Sequence, residues 1–173
     1  MTLSDPRAAL AELFTTLGIT PITIEHPPVH TVDEALQYWA GLEGVHTKNL
    51  MLKGAKGGLF LVCVPTDRRL DLKALAAHLG AKKFSFASAE TLDAALGVAQ
   101  GSVSPLALIN DPEGQVQLVL AADMMTQPRI TFHPLTNEAT VSLTIAEFRA
   151  VLAALEHRPE IVDFDALPKP DAA

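Results

Sequence analysis

Two apolar segments separated by a glycine-rich turn constrain the fold of this chain more than any other feature. Residues 47–53 and 59–65 are joined through Gly54-Ala55-Lys56-Gly57-Gly58, a connection typical of antiparallel strands. Both segments are apolar at most positions rather than at alternate ones, which is the pattern of strands covered on both faces. The sequence therefore predicts a buried hairpin near the middle of the chain.

Capping and helix-breaking residues divide the rest of the chain into short elements. Helices are predicted at residues 6–17, 31–39, 71–78, 88–96 and 144–155, with caps at Ser4-Asp5, Thr31, Ser88 and Thr144. Further strands are predicted at residues 20–25, 83–87, 106–109, 115–120, 130–133 and 139–143. The segments 106–109 and 115–120 flank Asp111-Pro112-Glu113-Gly114, which predicts a second hairpin. A third hairpin is predicted between 130–133 and 139–143.

Hairpins interleaved with helices favour an α/β fold with a mixed, mainly antiparallel curved sheet wrapped by helices. A doubly wound parallel sheet is not expected. One domain is predicted over residues 1–157. The proline-containing segment 158–173 is expected to be an arm or a loosely ordered tail.

Composition favours a compact globular protein, because 49% of the 173 residues are hydrophobic and 19% are charged. The single cysteine, Cys63, lies in an apolar run, so we expect a core thiol in a reducing compartment. The chain shows neither a basic leader followed by an apolar run nor a segment long enough to cross a bilayer. A cytoplasmic protein without a membrane partner is expected.

The charge distribution excludes a generic nucleic-acid clamp. The net charge is −7, whereas clamps gain most of their affinity by neutralising phosphates, so duplex DNA is not an expected partner. The segment 48–83 nevertheless holds eight Lys or Arg and only two acids. It is either an ordinary solvated surface or a local basic face that contacts a few phosphates.

The usual catalytic motifs are absent from the sequence. His26 and His30 lie four residues apart across prolines rather than on one helix face, and no cysteine pair exists, so no metal or other cofactor is expected. Cys63 is in mid-strand, and neither Ser102 nor Ser104 occupies a nucleophile elbow. Covalent catalysis is therefore not indicated.

The remaining polar residues predict a small pocket. Lys48 enters an apolar strand, where a cation persists when an anion or a ligand replaces its water. The loop 101–105 has small side chains and exposes its backbone N–H groups. The predicted pocket residues are Lys48, Asn49, Ser102, Ser104 and His133, with His26 and Thr31 at the rim. The alternatives are that Lys48 extends from a strand end to solvent and that His133 is structural.

These residues carry a resemblance to a known family. Val45-His46-Thr47-Lys48-Asn49-Leu50-Met51-Leu52-Lys53, the loop Gly101 to Pro105 and Phe132-His133-Pro134 resemble the signature of the YbaK/ProRS-associated domain, the superfamily of the prolyl-tRNA synthetase editing domain. The segment Glu25-His26-Pro27-Pro28-Val29-x-Thr31 also matches. The resemblance covers about residues 5–157 and is strongest to the stand-alone ProX-type proteins, because of the Lys48-Asn49 pair.

The resemblance implies a function and a set of roles. It implies hydrolysis of mischarged tRNA(Pro), most of all alanyl-tRNA(Pro), with the acceptor end as partner and a transient contact with prolyl-tRNA synthetase as a further implication. Lys48 engages the aminoacyl ester, with Asn49 beside it and His133 on the opposing strand. The aminoacyl group is framed by Gly101, Ser102 and Pro105, with Ser104, His26 and Thr31 as further substrate contacts.

Two alternatives to alanyl-tRNA(Pro) hydrolysis stay open. The same fold can edit cysteinyl- or seryl-tRNA, or it can bind tRNA ends or the synthetase without catalysis. Substrate choice is expected to be steric. A synthetase pocket rejects an amino acid with a smaller side chain poorly, and a second site then hydrolyses the mischarged product that fits it. The expected pocket walls are Val29, Leu50, Val103 and Pro105.

Overall fold

The computed structural model describes residues 6–167, which contain five α-helices and eight strands. The helices are α1 (Pro6–Leu17), α2 (Val32–Trp39), α3 (Leu72–Leu79), α4 (Ala89–Leu96) and α5 (Ile145–Ala154). The strands are β1 (Ile22–Glu25), β2 (Val45–Gly54), β3 (Leu59–Pro65), β4 (Phe84–Phe86), β5 (Val116–Ala121), β6 (Arg129–Phe132), β7 (Ala139–Thr144) and β8 (Glu160–Val162). Three 3₁₀ helices occupy Pro105–Asn110, Ala122–Thr126 and Phe164–Ala166.

Within this part of the chain the eight strands form one sheet in the order β1-β7-β6-β2-β3-β5-β8, and β4 pairs with β2 beside that path. Antiparallel pairing joins β1 to β7, β7 to β6, β2 to β3 and β2 to β4. The pairs β2/β6, β3/β5 and β5/β8 are parallel. The predicted mixed, mainly antiparallel sheet with helices is confirmed.

Strand β2 connects the two halves of the sheet, which are β1, β7 and β6 on one side and β3, β5 and β8 on the other. Its first residues, Val45 and His46, pair with β6, and its last residues, 52–54, pair with β4. Along most of its length it pairs with β3, which places Asn49 opposite Cys63. The predicted hairpin of β2 and β3 is therefore present, and the polar stretch of β2 lies near the junction of the two halves.

Strand β3 forms the centre of the core. Four consecutive residues, Leu61, Val62, Cys63 and Val64, have no exposed surface, so both faces of the strand are covered as predicted. Burying one such aliphatic side chain contributes about 1.5–3 kcal/mol. Helix α5 adds Phe148, whose ring centroid lies 4.8 Å from that of Phe132 on β6.

Side-chain caps begin four of the helices. Thr31, Asp71, Ser88 and Thr144 each accept a hydrogen bond from a backbone N–H three residues later. The sequence pattern of a capping box, a threonine followed three residues later by a glutamate, occurs at both Thr31 and Thr144. The box at Thr144 is complete, whereas at Thr31 the Glu34 carboxylate accepts instead from the N–H of His30, at 2.8 Å. The predicted cap of α1, Ser4-Asp5, lies outside the described residues.

The predicted strand at residues 106–109 is wrong, because this segment belongs to the 3₁₀ helix Pro105–Asn110. Ser104 caps that helix by accepting from the N–H of Leu106 at 3.2 Å, and Pro105 supplies a helical φ in the first turn. A short apolar run buried on all sides does not distinguish strand from helix. The predicted turn at 111–114 exists, but it connects this helix to β5, which pairs in parallel with β3.

The segment after residue 157 also differs from the prediction. Residues 160–162 form β8, which pairs with Val119, Leu120 and Ala121 of β5. Asp165 then makes an ion pair of 3.0 Å with Arg68. Residues 158–167 are thus joined to the sheet rather than forming a loose arm, and the rest of the predicted tail, 168–173, lies outside the described residues.

Candidate active site

A cavity of about 210 Å³ lies beside the polar stretch of β2. It is lined by β2, α2 with the segment before it, the loop after α4 and the residue that follows β6. The polar residues on its wall are His30, Thr31, Thr47, Lys48, Asn49 and His133. The other wall residues are Val29, Val32, Ala35, Trp39, Gly101 and Val103. The cavity therefore combines a cation and hydrogen-bonding groups with small apolar side chains.

Lys48 is a half-buried residue on this wall. Its cross-strand partner on β3 is Val64, whose side chain is fully buried. Among residues 6–167, no side chain or carbonyl forms an ion pair or hydrogen bond with its ammonium. A half-buried cation without a protein partner can bind an anionic or carbonyl group of a ligand at a reduced desolvation cost.

His133 follows β6, and one of its ring nitrogens can accept a proton. Its Nδ1 lies 2.9 Å from the carbonyl oxygen of Ala139, which can only accept, so Nδ1 carries the proton and Nε2 is bare in the neutral ring. Burial lowers the pKa of His133, the neighbouring His26 lowers it further, and the bond to Ala139 opposes them in part. The neutral ring, a proton acceptor at Nε2, is therefore favoured at neutral pH.

His26 supports this arrangement from behind the cavity wall. Its Nδ1 lies 2.9 Å from the carbonyl of Pro27, and its Nε2 lies 2.9 Å from the hydroxyl of Thr140. The same hydroxyl accepts from Nε1 of Trp39 at 3.2 Å. The His26 ring meets the His133 ring edge-on, with centroids 6.0 Å apart. His26 thus fixes the surroundings of His133 and does not itself line the cavity.

The Asn49 side chain is held by hydrogen bonds on both sides. The buried Cys63 thiol donates to its Oδ1 at 2.6 Å. Its Nδ2 donates to the hydroxyl of Thr47 at 3.4 Å, and that hydroxyl donates to the carbonyl of Thr131 at 2.9 Å. Burial raises the pKa of Cys63, which keeps the thiol protonated and able to donate. The predicted core thiol therefore lies directly behind a residue of the cavity.

The loop after α4 contributes two residues to the cavity, Gly101 and Val103. Gly101 has φ +90°, in the left-handed region that favours glycine. Nothing within residues 6–167 accepts a hydrogen bond from the backbone N–H of Gly101 or Val103. The segment before α2, which also lines the cavity, is held by Asn137, whose side chain donates to the carbonyl of Val29 at 3.0 Å. The loop therefore carries two N–H groups that no acceptor within residues 6–167 satisfies.

Comparison with known proteins identifies the family. The sequence profile of the aminoacyl-tRNA editing domain matches residues 26–151, which is more than half of the chain. The chain belongs to the aminoacyl-tRNA editing domain family. The resemblance to the YbaK/ProRS-associated domain is thereby confirmed, and the cavity lies within the matched segment.

Several relatives of this editing domain carry informative names. A Danio rerio protein named prolyl-tRNA synthetase associated domain-containing protein 1 is 42% identical over 163 residues, covering 93% of this chain and 89% of its own length. The prolyl-tRNA editing protein ProX of Acetoanaerobium sticklandii is 34% identical over 153 residues, covering 87% and 92%. A solved structure described as a candidate trans-editing enzyme for prolyl tRNA synthetase has a TM-score of 0.67 at 24% identity, covering 98% and 100%. That structure supports the fold.

The editing domain brings five of the nine predicted site residues to the cavity: Lys48, Asn49, His133, Thr31 and Gly101. The other four, Ser102, Ser104, Pro105 and His26, are buried and do not line it. The Ser104 hydroxyl is used as a helix cap, and Pro105 lies within the 3₁₀ helix that follows. Of the predicted walls, Val29 and Val103 line the cavity, whereas Leu50 and Pro105 do not.

Sequence reasoning missed the helical wall of the cavity. Val32, Ala35 and Trp39 of α2 face it, at spacings of three and four residues. That spacing marks one face of a helix, so the signal was present in the sequence. The contact of Cys63 with Asn49 had no local signal, because it depends on the register between two strands.

Neither a metal site nor a membrane span is found in the described part of this editing domain. Residues 6–167 contain no group of three or more His, Cys, Asp or Glu side chains placed to hold a metal ion. In the same range, every helix is too short or too polar to cross a bilayer.

Proposed function

We propose that this editing domain acts in trans as an aminoacyl-tRNA deacylase that hydrolyses the ester of alanyl-tRNA(Pro). The observation that carries the proposal is the joint placement of Lys48, Asn49 and His133 around one cavity that Gly101 and Val103 also line, two residues whose N–H groups have no acceptor within residues 6–167. The names of the relatives, which refer to prolyl-tRNA editing and to prolyl-tRNA synthetase, support tRNA(Pro) as the tRNA.

The cavity contains groups suited to hydrolysis of an activated ester by water. Nε2 of neutral His133 accepts a proton from a water molecule as the water oxygen attacks the ester carbonyl. The carbonyl oxygen becomes an oxyanion, which N–H donors and a cation stabilise. When the intermediate collapses, the bond to the ribose oxygen breaks, and that oxygen takes a proton from His133. The reaction consumes one water and releases the amino acid and the free tRNA end.

Lys48 is proposed to bind the tRNA end at this cavity. Its ammonium, which has no partner among residues 6–167, engages either the phosphate of the terminal adenosine or the ester carbonyl. Both are oxygen acceptors, and a compact ammonium on a flexible stem can reach either one. Loss of this cation removes binding and electrostatic stabilisation together, so Lys48 is the residue whose replacement most directly tests the proposal.

Substrate choice is proposed to be steric. The apolar wall includes the small side chains of Val29, Val32, Ala35 and Val103, which can contact a methyl group. A prolyl synthetase discriminates poorly against alanine because a smaller side chain is hard to reject by lost contacts alone, and a second pocket then removes the product that enters it. The editing pocket must therefore admit alanine and exclude the pyrrolidine ring.

The tRNA is proposed to dock on a lysine cluster that consists of Lys53, Lys56, Lys82 and Lys83. All four side chains are exposed, and the segments that carry them are joined by a hydrogen bond from the N–H of Ala55 to the carbonyl of Lys83. Lys53 lies about 13 Å from Asn49 along β2, at roughly 3.3 Å per residue. That separation places the cluster within reach of phosphates near the acceptor end.

Arg68 does not belong to the lysine cluster, although it lies in the basic segment 48–83 of the sequence. It pairs with Asp123 at 2.8 Å and with Asp165 at 3.0 Å, and hydrogen bonds to these two carboxylates raise its pKa. Its charge is therefore used within the protein. A cluster of only four lysines predicts weak, salt-sensitive binding to tRNA. We further propose a transient contact with prolyl-tRNA synthetase and a cytoplasmic location.

The decisive experiment is a deacylation panel under multiple turnover. Purified protein is incubated with alanyl-, cysteinyl-, seryl- and prolyl-tRNA(Pro), and released amino acid is measured over time. We expect alanyl-tRNA(Pro) to be hydrolysed fastest and prolyl-tRNA(Pro) to be spared. Faster release of cysteine or serine would reassign the substrate. Binding of all four without release of any amino acid would show a recognition module instead of an enzyme.

A further inference from the structure

The orientation of the Asn49 carboxamide is determined by its neighbours. The Thr131 carbonyl can only accept, so the Thr47 hydroxyl spends its single hydrogen on it. Thr47 can then only accept from Asn49, which requires the NH₂ group of Asn49 on that side. The reverse orientation would bring the amide oxygen against the lone pairs of the Thr47 hydroxyl.

The other side of the carboxamide gives the same orientation. Oδ1 lies 2.6 Å from the sulfur of Cys63, which has no exposed surface. A thiol is a weak donor, and burial of Cys63 keeps it protonated. Oδ1 therefore points toward the Cys63 thiol. The NH₂ group gives one hydrogen to Thr47, and its second hydrogen remains for a group in the cavity.

We propose that Cys63 is a positioning residue, whose thiol acts with Thr47 to present the Asn49 NH₂ group to the cavity as a donor for the ester oxygen that becomes negative. The inference rests on the proposed function, since it concerns the hydrolysis of the same ester. It decides between two roles for Asn49. A residue that orients the attacking water through its amide oxygen needs that oxygen to be accessible, whereas here the oxygen faces Cys63.

The position of Cys63 suits this role. It lies directly opposite Asn49 in the register of β2 and β3, and the main chain at both positions is fixed by the strand pairing. A side chain held from a rigid strand holds its partner more tightly than one on a loop. Preorganised donors stabilise an oxyanion without reorganisation during the reaction, so the loss of one anchoring bond is expected to lower kcat more than it changes KM.

The test compares Cys63→Ala, Cys63→Ser and Asn49→Asp in the full-length protein with alanyl-tRNA(Pro). Cys63→Ala removes the donor and should lower kcat roughly tenfold with little change in KM, since an unsatisfied amide is free to turn. Cys63→Ser retains an O–H donor and should recover most of the loss. Asn49→Asp replaces NH₂ by a negative oxygen and should lower kcat further. The control Val119→Ala trims a fully buried side chain on β5 and should leave kcat near the wild-type value.

A second measurement does not depend on activity. The side-chain ¹⁵NH₂ signals of Asn49, identified by their loss in Asn49→Asp, should shift in Cys63→Ala and return toward the wild-type position in Cys63→Ser. Equal kcat for the Ala and Ser variants, or Asn49 signals that Cys63→Ala leaves unmoved, would overturn the inference. Wild-type protein that hydrolyses nothing in the deacylation panel would instead refute the proposed function, and the NMR comparison would still test the orientation of Asn49.

Discussion

The two ends of strand β2 differ in how their polar groups are used. At the cavity end, Thr47 and Asn49 are tied to Thr131 and Cys63 by hydrogen bonds and lie in partly or fully buried positions. At the far end, Lys53 is exposed beside β4, and no ion pair to it is found in residues 6–167. One strand therefore has hydrogen-bonded polar side chains at one end and an exposed charge at the other.

This difference has an energetic basis. Hydrogen bonds in a buried position depend on geometry, and an unmade one costs about 1–3 kcal/mol. Exposed charges act over a Debye length of about 8 Å at physiological salt and tolerate small displacements. The cavity end should therefore respond sharply to single changes, and the far end should respond gradually to summed charge and to salt.

The largest expected effect is that of Lys48→Ala at the cavity end. Loss of the only cation on the cavity wall described here should lower kcat/KM for alanyl-tRNA(Pro) by roughly 10²-fold or more, the range seen when one oxyanion-stabilising donor is removed. Steady-state deacylation measures it, with circular dichroism to verify folding. The matched control is Lys73→Ala, an exposed lysine on α3. A variant with near-normal rates would remove Lys48 from the mechanism.

The next effect concerns the protonation state of His133. The lowered pKa means that the neutral, active ring persists as pH falls below 6.5, so kcat/KM should fall only at more acidic pH. His133→Gln should lower kcat about 10²-fold and abolish this acid limb. The neighbouring imidazoles are His26, whose ring meets that of His133 edge-on, and His30 on the cavity wall. A pH–rate profile that bends above 6.5, or an unchanged limb in the variant, would contradict the assignment.

A smaller, salt-dependent effect is expected at the far end of β2. The double variant Lys82→Glu/Lys83→Glu should raise KM roughly tenfold at low salt and leave kcat unchanged, because it alters docking and not chemistry. The difference from wild type should shrink as salt increases. Arg149→Glu, an exposed charge reversal on α5, is the control. A fall in kcat with constant KM would show that the cluster acts on the reaction rather than on docking.

The sequence predicted local elements well where short-range chemistry decides them. Caps such as Ser88 and Thr144 marked helix starts correctly, and the glycine-rich turn after β2 marked the central hairpin. The segment 106–109 failed because burial on all sides removes the periodicity that separates strand from helix. Strand β8 failed because its pairing with β5 is non-local and the preceding proline suggested a tail.

The sequence predicted some of the residues that line the cavity but not the geometry of the cavity. Lys48 and His133 were found from their sequence context and from the family resemblance, and both line the cavity. The sequence did not show that Val103, rather than Ser102 and Ser104, lines the cavity. Alternate residues of an extended loop point in opposite directions, and the sequence does not tell which of them face inward. The anchoring of Asn49 by Cys63 required the strand register, which no local pattern contains.

The smallest expected effect is on stability, and it separates the two ends of β2 without any substrate. Thr47→Val is nearly isosteric but removes the hydrogen bond to the Thr131 carbonyl and the acceptor of the Asn49 NH₂ group, so the unfolding free energy should fall by about 1–2 kcal/mol. Lys53→Gln at the exposed end should change it by less than about 0.5 kcal/mol. Urea unfolding measures both. Equal losses for the two variants would mean that the buried hydrogen bonds contribute no more than an exposed lysine, and that the cavity end is not the preorganised half of the strand.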